Sequence, residues 1–228
     1  MEVERYLSLY GSENAYTSQL IEDLYFLIQN EHYHQALNVY HLLFMTVVYQ
    51  TVLKARDWRT QKFEDATILI NDRDLSRKEM LAATSAFDFS KIPESRFMEF
   101  LRLFDADDTL IGDCKKLVKD RNDRSHANGN YFSDSQLFED KIIEYDRIME
   151  RIQNLYRDYL TEIFNEYLHD LEGDEAVTRN DLELYLMTPH KLSIFDLECM
   201  YDLCDSALKS HTEIKGILQL DYGIGEEA

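Results

Sequence analysis

The spacing of apolar positions along the chain follows a helical period almost from end to end. Leu20, Leu24, Leu27 and Ile28 recur every three or four residues, and Leu37, Tyr40, Leu43, Phe44, Val47 and Val48 continue the pattern. Residues 15–57 are therefore predicted as two helices or one bent helix. "NDRDLSRKEMLAA" (71–83) reads as a turn entering a helix, with Asp74 or Ser76 as its cap. A further helix starts in "FSKIPESRFMEFLRLF", with Pro93 near its first turn. "DADDTLIGDCKKLVKDRNDRSHANG" opens with acids that suit a helix N-terminus and closes on Asn128-Gly129, a stop signal.

From Ser133 the longest periodic segment begins. Leu137, Ile142, Tyr145, Ile148, Ile152, Leu155, Tyr159, Ile163 and Tyr167 form one continuous apolar stripe on a single long helix. "EGDEA" (172–176) interrupts the pattern and marks the predicted boundary. Beyond it, Thr178 and Asp181 form a capping box, and "SIFDLECMYDLCDSALKSH" is another amphipathic helix. Across 178–218, Leu182, Leu186, Phe195, Leu197, Met200, Leu203 and Leu208 are the expected buried positions of helices packed on the bundle. The expected fold class is all-α: a helical bundle over 1–172, with 58–76 as a candidate insertion, and a C-terminal helical extension over 173–228.

Composition supports this reading. Only two prolines and seven glycines occur in 228 residues, which favours long helices over a many-stranded sheet. Three scattered cysteines, Cys114, Cys199 and Cys204, suit a reducing cytosol better than a disulfide framework, and Cys199 and Cys204 lack metal-ligand spacing. The N-terminus has no apolar signal region. Residues 32–50 lack any Asp, Glu, Lys or Arg, yet their histidines, glutamines and asparagine would be penalised in lipid. A buried bundle helix in a soluble, cytoplasmic protein is the expectation, with no membrane partner.

Charge draws attention to one segment. The chain carries 44 acidic and 24 basic residues, a formal charge of −20, which opposes nonspecific adhesion to nucleic acid. Within 115–126, however, Lys115, Lys116, Lys119, Arg121 and Arg124 face only Asp120 and Asp123 and lead to His126. A guanidinium can clamp a phosphate through paired hydrogen bonds, and an imidazole can move a proton near neutral pH. The two together suffice for RNA cleavage without a metal. Positions five apart on a helix lie about 140° apart, so Arg121 and His126 share a pocket only near a helix end or across an interface. From spacing alone, R-x4-H is a short pattern, and a basic helix C-terminus that complements the macrodipole is the favoured reading.

Other clusters are weaker. "DADDTLIGDCKK" (105–116) and "DLEGDEAVTRND" (170–181) have alternating acids, but misplace the glycine or the final carboxylate of a calcium loop; capping acids are the expectation. His32, His34 and His41 lack identifiable metal partners and read as core or interface histidines.

Arg121, Asn122 and His126, on a chain of long helices, resemble the HEPN superfamily (higher eukaryote and prokaryote nucleotide-binding domains). Its ribonuclease motif is R-x4–6-H with a polar residue, often Asn, after the arginine. The resemblance covers roughly residues 15–170. It implies a metal-independent endoribonuclease without cofactor, a toxin or antiviral-defence effector, with Arg121 and His126 catalytic across a homodimer cleft. Asn122, Arg124, Lys116 and Lys119 would bind the RNA, and an antitoxin or regulatory protein would be a further partner. The same resemblance admits a noncatalytic nucleotide-binding or protein-interaction module. In one toxin subfamily a tyrosine stands two residues after the histidine; here that position is Asn128, with Tyr131 further on.

Overall fold

The structure is a computed structural model that describes residues 1–11, 13–69, 76–126, 131, 133–171, 176–204 and 208–225. Every element among these residues is helical, so the fold is all-α, as expected. In chain order the α-helices are α1 (Glu2–Tyr6), α2 (Asn14–Gln29), α3 (Tyr33–Trp58), α4 (Thr60–Leu69), α5 (Arg77–Leu81), α6 (Glu94–Phe97), α7 (Asp108–Ser125), α8 (Ser135–Asn154), α9 (Arg157–Asp170), α10 (Arg179–Asp181), α11 (Ile194–Leu203) and α12 (Lys209–Tyr222). Two 3₁₀ segments, Ala86–Lys91 and Met98–Phe104, flank α6, and a π-turn, Leu182–Met187, follows α10.

The chain divides into two compact units. The first contains Met1–Glu4 and Ser12–Leu155; the second contains Arg5–Gly11 and Tyr156–Ala228. This division differs from a boundary near 172: α9 belongs with the C-terminal elements.

Within the first unit, α3 is the central element. It packs against α2, α7, α8 and both 3₁₀ segments. Its run from Leu43 to Ala55 is buried without a break, because helices surround it on all sides. α3 is also the one helix among the described residues long and apolar enough to cross a membrane. Most of it is covered by its own chain, as a core helix is, which is compatible with a soluble protein. The 32–53 region thus spends its apolar surface inside the unit; beyond position 39, Leu42, 40% exposed, is its outward-facing apolar side chain.

Short polar side chains start the helices by satisfying backbone N–H groups that lack an intrahelical partner. Asp107 accepts from Leu110 N at 2.7 Å to open α7, and Asp134 accepts from Leu137 N at 2.8 Å to open α8. Ser76 caps α5 in a capping box with Glu79. Asp74 and Asn128-Gly129 lie outside the described residues. The acids of 105–116 are taken up locally: Asp105 pairs with Arg59 at 2.9 Å, Asp108 with Arg102 at 2.7 Å, and Asp107 caps. The expected helix after Pro93 is a single α-turn that tightens into the 3₁₀ segment.

The segment after Ser133 is not one helix. α8 ends at Asn154 and α9 starts at Arg157. The apolar period continues across the break, because burying one face imposes it on either arrangement, although Leu137 at its start is 44% exposed. In the second unit, Tyr156 is fully buried and donates its hydroxyl to Asp196 at 2.9 Å. Asp196 in turn closes a capping box with Ser193 at the start of α11. Leu9 N donates to the Leu192 carbonyl at 2.8 Å, which holds the N-terminal strap within this unit. The Thr178–Asp181 capping box forms as expected. Leu182, Leu186, Leu197 and Met200 are buried and Phe195 and Leu203 half-buried, but Leu208 is 50% exposed because it precedes α12 as its cap residue.

Candidate functional site

The basic segment occupies the C-terminal part of α7, and its cations meet acids supplied by other elements. Lys115 pairs with Glu99, and Lys116 reaches Glu144 on α8 at 3.1 Å. Lys141 on α8 spans Asp120 at 2.8 Å and Glu144 at 2.9 Å. The local excess of positive charge is therefore largely answered in the fold. Lys119 points to solvent and forms no ion pair among the described residues.

Arg121 is half-buried and donates Nη2 to Glu94 Oε1, with α6 packed on α7. Glu94 Oε2 is 3.0 Å from His41 Nε2, and His41 Nδ1 is 2.8 Å from the Tyr145 hydroxyl. His41 is fully buried. Burial pushes its imidazole below the ordinary histidine range, against the pull of Glu94. Burial would raise the Glu94 carboxyl, but the hydrogen bonds from His41 and Arg121 outweigh it and hold the carboxyl below its ordinary value. Burial also raises the Tyr145 phenol, which stays protonated. These protonation states fix the direction of the chain. Tyr145 O–H donates to Nδ1 of neutral His41, His41 Nε2–H donates to ionised Glu94, and Arg121 supplies the charge that balances the carboxylate.

Not every guanidinium donor is used. Arg121 Nε, and Nε and Nη2 of Arg124, are buried without a hydrogen-bond partner among the described residues. Arg124 lies one turn beyond Arg121 on α7, and both act electrostatically on His41. Arg124 also lines a cavity of about 210 Å³ with Leu37, Asp120, Asp123, Leu137 and Lys141. Its carbonyl lies 3.3 Å from His34 Nε2, and the His34 ring stacks on Tyr131 at 4.9 Å between centroids. Arg124 also hydrogen-bonds the Tyr145 hydroxyl, so the two half-buried guanidiniums are partly satisfied; an acceptor reaching their remaining N–H groups would relieve the cost of burying them unpaired.

His126 is the C-cap residue of α7. Its N–H bonds the Asn122 carbonyl at 3.1 Å, its backbone turns extended, and its side chain is exposed. The structure thus gathers Arg121 and Arg124 at one half-buried locus with His126 just past the helix end. Lys116 and Lys119 sit on the exposed upper part of the same helix. Sequence reading placed His41 among core or interface histidines and Tyr145 on the apolar stripe, as the fold does, but missed Glu94 and the link it makes through His41 to Tyr145. Their only signals were an acid directly after Pro93 and a histidine inside an uncharged run, and neither announces a partner so distant in sequence. His41 belongs to the core and His34 is buried beside the motif helix.

Comparison with protein-family models, with curated proteins and with solved structures gives no match for this chain.

Proposed function

We propose that this chain is a metal-independent endoribonuclease of the HEPN type, acting in the cytoplasm as a toxin or antiviral-defence effector. The observation that carries this reading is the pair of half-buried guanidinium groups of Arg121 and Arg124, which keep unpaired N–H donors five and two residues before an exposed His126. Those donors would hold a phosphodiester and stabilise the charge that builds on its oxygens. His126 would take the proton of the ribose 2′-hydroxyl or return one to the leaving 5′-oxygen. Attack by the 2′-oxygen on phosphorus then breaks the P–O5′ bond and leaves a 2′,3′-cyclic phosphate and a 5′-hydroxyl. A homodimer would supply a second Arg–His pair across a two-fold cleft, and an antitoxin-like or regulatory protein would restrain it. The test is incubation of purified protein with total RNA in EDTA, beside His126→Ala. Cleavage products with cyclic phosphate ends, lost in the variant, are expected; equal cleavage by both proteins defeats the assignment.

One observation favours a second reading. Arg121 already has an ionic partner in Glu94, which accounts for it as a structural cation. In that case the chain is a noncatalytic nucleotide-binding or protein-interaction module, and Arg124 alone faces the ligand.

A further inference from the structure

The second unit contains a cavity of about 490 Å³, within the usual size range of small-ligand sites. One face of α9 supplies Ile163, Glu166, Tyr167 and Asp170, spaced so that all four point the same way. Asp181 and Tyr185 add to its lining. Among the described residues, three carboxylates and His190 line it, and no lysine or arginine does. Acids alone would mark nothing. The second observation is Tyr167: only 7% exposed, it lines this cavity, and its hydroxyl has no hydrogen-bond partner among the described residues.

We propose that this cavity binds a guanidinium or alkylammonium group carried on a short apolar stem. The Tyr167 oxygen would accept one N–H of the cation, while Glu166 and Asp170, one helical turn apart, would balance its charge. Asp181 contributes from α10, although its Oδ2 is engaged by the Thr178 backbone and hydroxyl at 3.0 and 2.6 Å. The rings of Tyr167 and Tyr185 offer faces on which a cation can lie, and Ile163 and Leu171 take the stem. Burial, with the charge of Asp181, pushes the Tyr167 phenol up to about 12, so its hydroxyl remains protonated and neutral at physiological pH. Such a group occurs on a small polyamine and on an arginine or lysine side chain of another protein. The site uses none of the residues of the ribonuclease reading.

The test is calorimetric titration of the full chain with agmatine and, separately, with a short uncharged peptide carrying one arginine. Because the chain is strongly acidic, any cation is weakly attracted to it, so the deciding variant leaves the charge unchanged. Tyr167→Phe removes only the hydroxyl and should weaken binding about tenfold, as the loss of one hydrogen bond to a charged group does. Asp170→Asn, at an exposed position, should weaken it as well; it is the second variant should Tyr167→Phe melt early. Glu139→Gln, exposed on α8, should leave binding unchanged. Tighter binding of agmatine than of the peptide assigns the site to a free small molecule, and the reverse assigns it to a partner's side chain. No heat at millimolar ligand overturns the proposal, and so does unchanged affinity in both Tyr167→Phe and Asp170→Asn.

Discussion

Arg121 and Glu94 stand 27 residues apart in the chain and meet as an ion pair where α6 packs on α7. The arginine that the sequence singles out for chemistry is thereby fixed by an acid that the sequence gives no reason to notice. Glu94 also receives His41, so one carboxylate ties the motif helix to the central helix of the unit.

That coupling predicts a shared stability effect. Glu94→Gln should destabilise the first unit by about 1–3 kcal/mol, since the buried donors of Arg121 and His41 lose a charged acceptor. Urea unfolding of parent and variant measures it. Identical midpoints and slopes would mean that the pair is ornamental.

Acid should act through the same residues. His41 has a depressed folded-state pKa, so its neutral-state stability is complete above the unfolded value of about 6.5 and is lost as pH falls towards the folded value. Glu94 is also depressed, so its contribution begins to fade only below about 4.3. Lower pH also relieves repulsion in a chain of charge −20, so the informative quantity is a difference. The stability gap between parent and His41→Gln should narrow between pH 7 and pH 5. A gap constant across that window contradicts a neutral, buried His41.

Cleavage separates the two functional readings. His126→Ala should lower the rate of RNA cleavage about 10²–10⁴-fold with no change in melting, because His126 is an exposed cap residue. Arg121→Ala should lose cleavage and also melt earlier, because Glu94 is stranded. Parent-like cleavage by His126→Ala hands the function to the interaction-module reading.

The proposed binding of phosphate by α7 implies a graded series under salt titration. Arg124→Ala should weaken RNA binding most and reduce the salt slope by about one. Lys119→Ala should act in the same direction. Lys116→Ala should act less, because Lys116 already pairs with Glu144. Equal effects of all three would indicate diffuse attraction rather than a site at the helix end.

The second unit can be tested at its buried phenol. Tyr156→Phe removes the donor to Asp196 and should cost about 1–3 kcal/mol, read as an earlier melting transition. An unchanged melt would show that the pair contributes nothing net.

Much of this protein was legible in its sequence. Helical periodicity and the scarcity of breakers determined the all-α class. Ser76 and Thr178, and the acids of 105–108 as a group, announced helix starts because a capping oxygen bonds an N–H two or three residues away, a purely local event. Arg121, Asn122 and His126 could be singled out as candidates because they lie within one stretch of six residues. What the sequence left open is what happens across space. Only the packing of α6 on α7 and α3 on α8 gives Arg121 its acid, makes His41 a neutral link between Glu94 and Tyr145, and consumes the uncharged run of α3 as core. The break between α8 and α9 stayed hidden because burial on one face imposes the same pattern on one long helix as on two in succession. The lone phenol of Tyr167 was hidden too, since whether a hydroxyl finds a partner depends on neighbours that only the fold supplies.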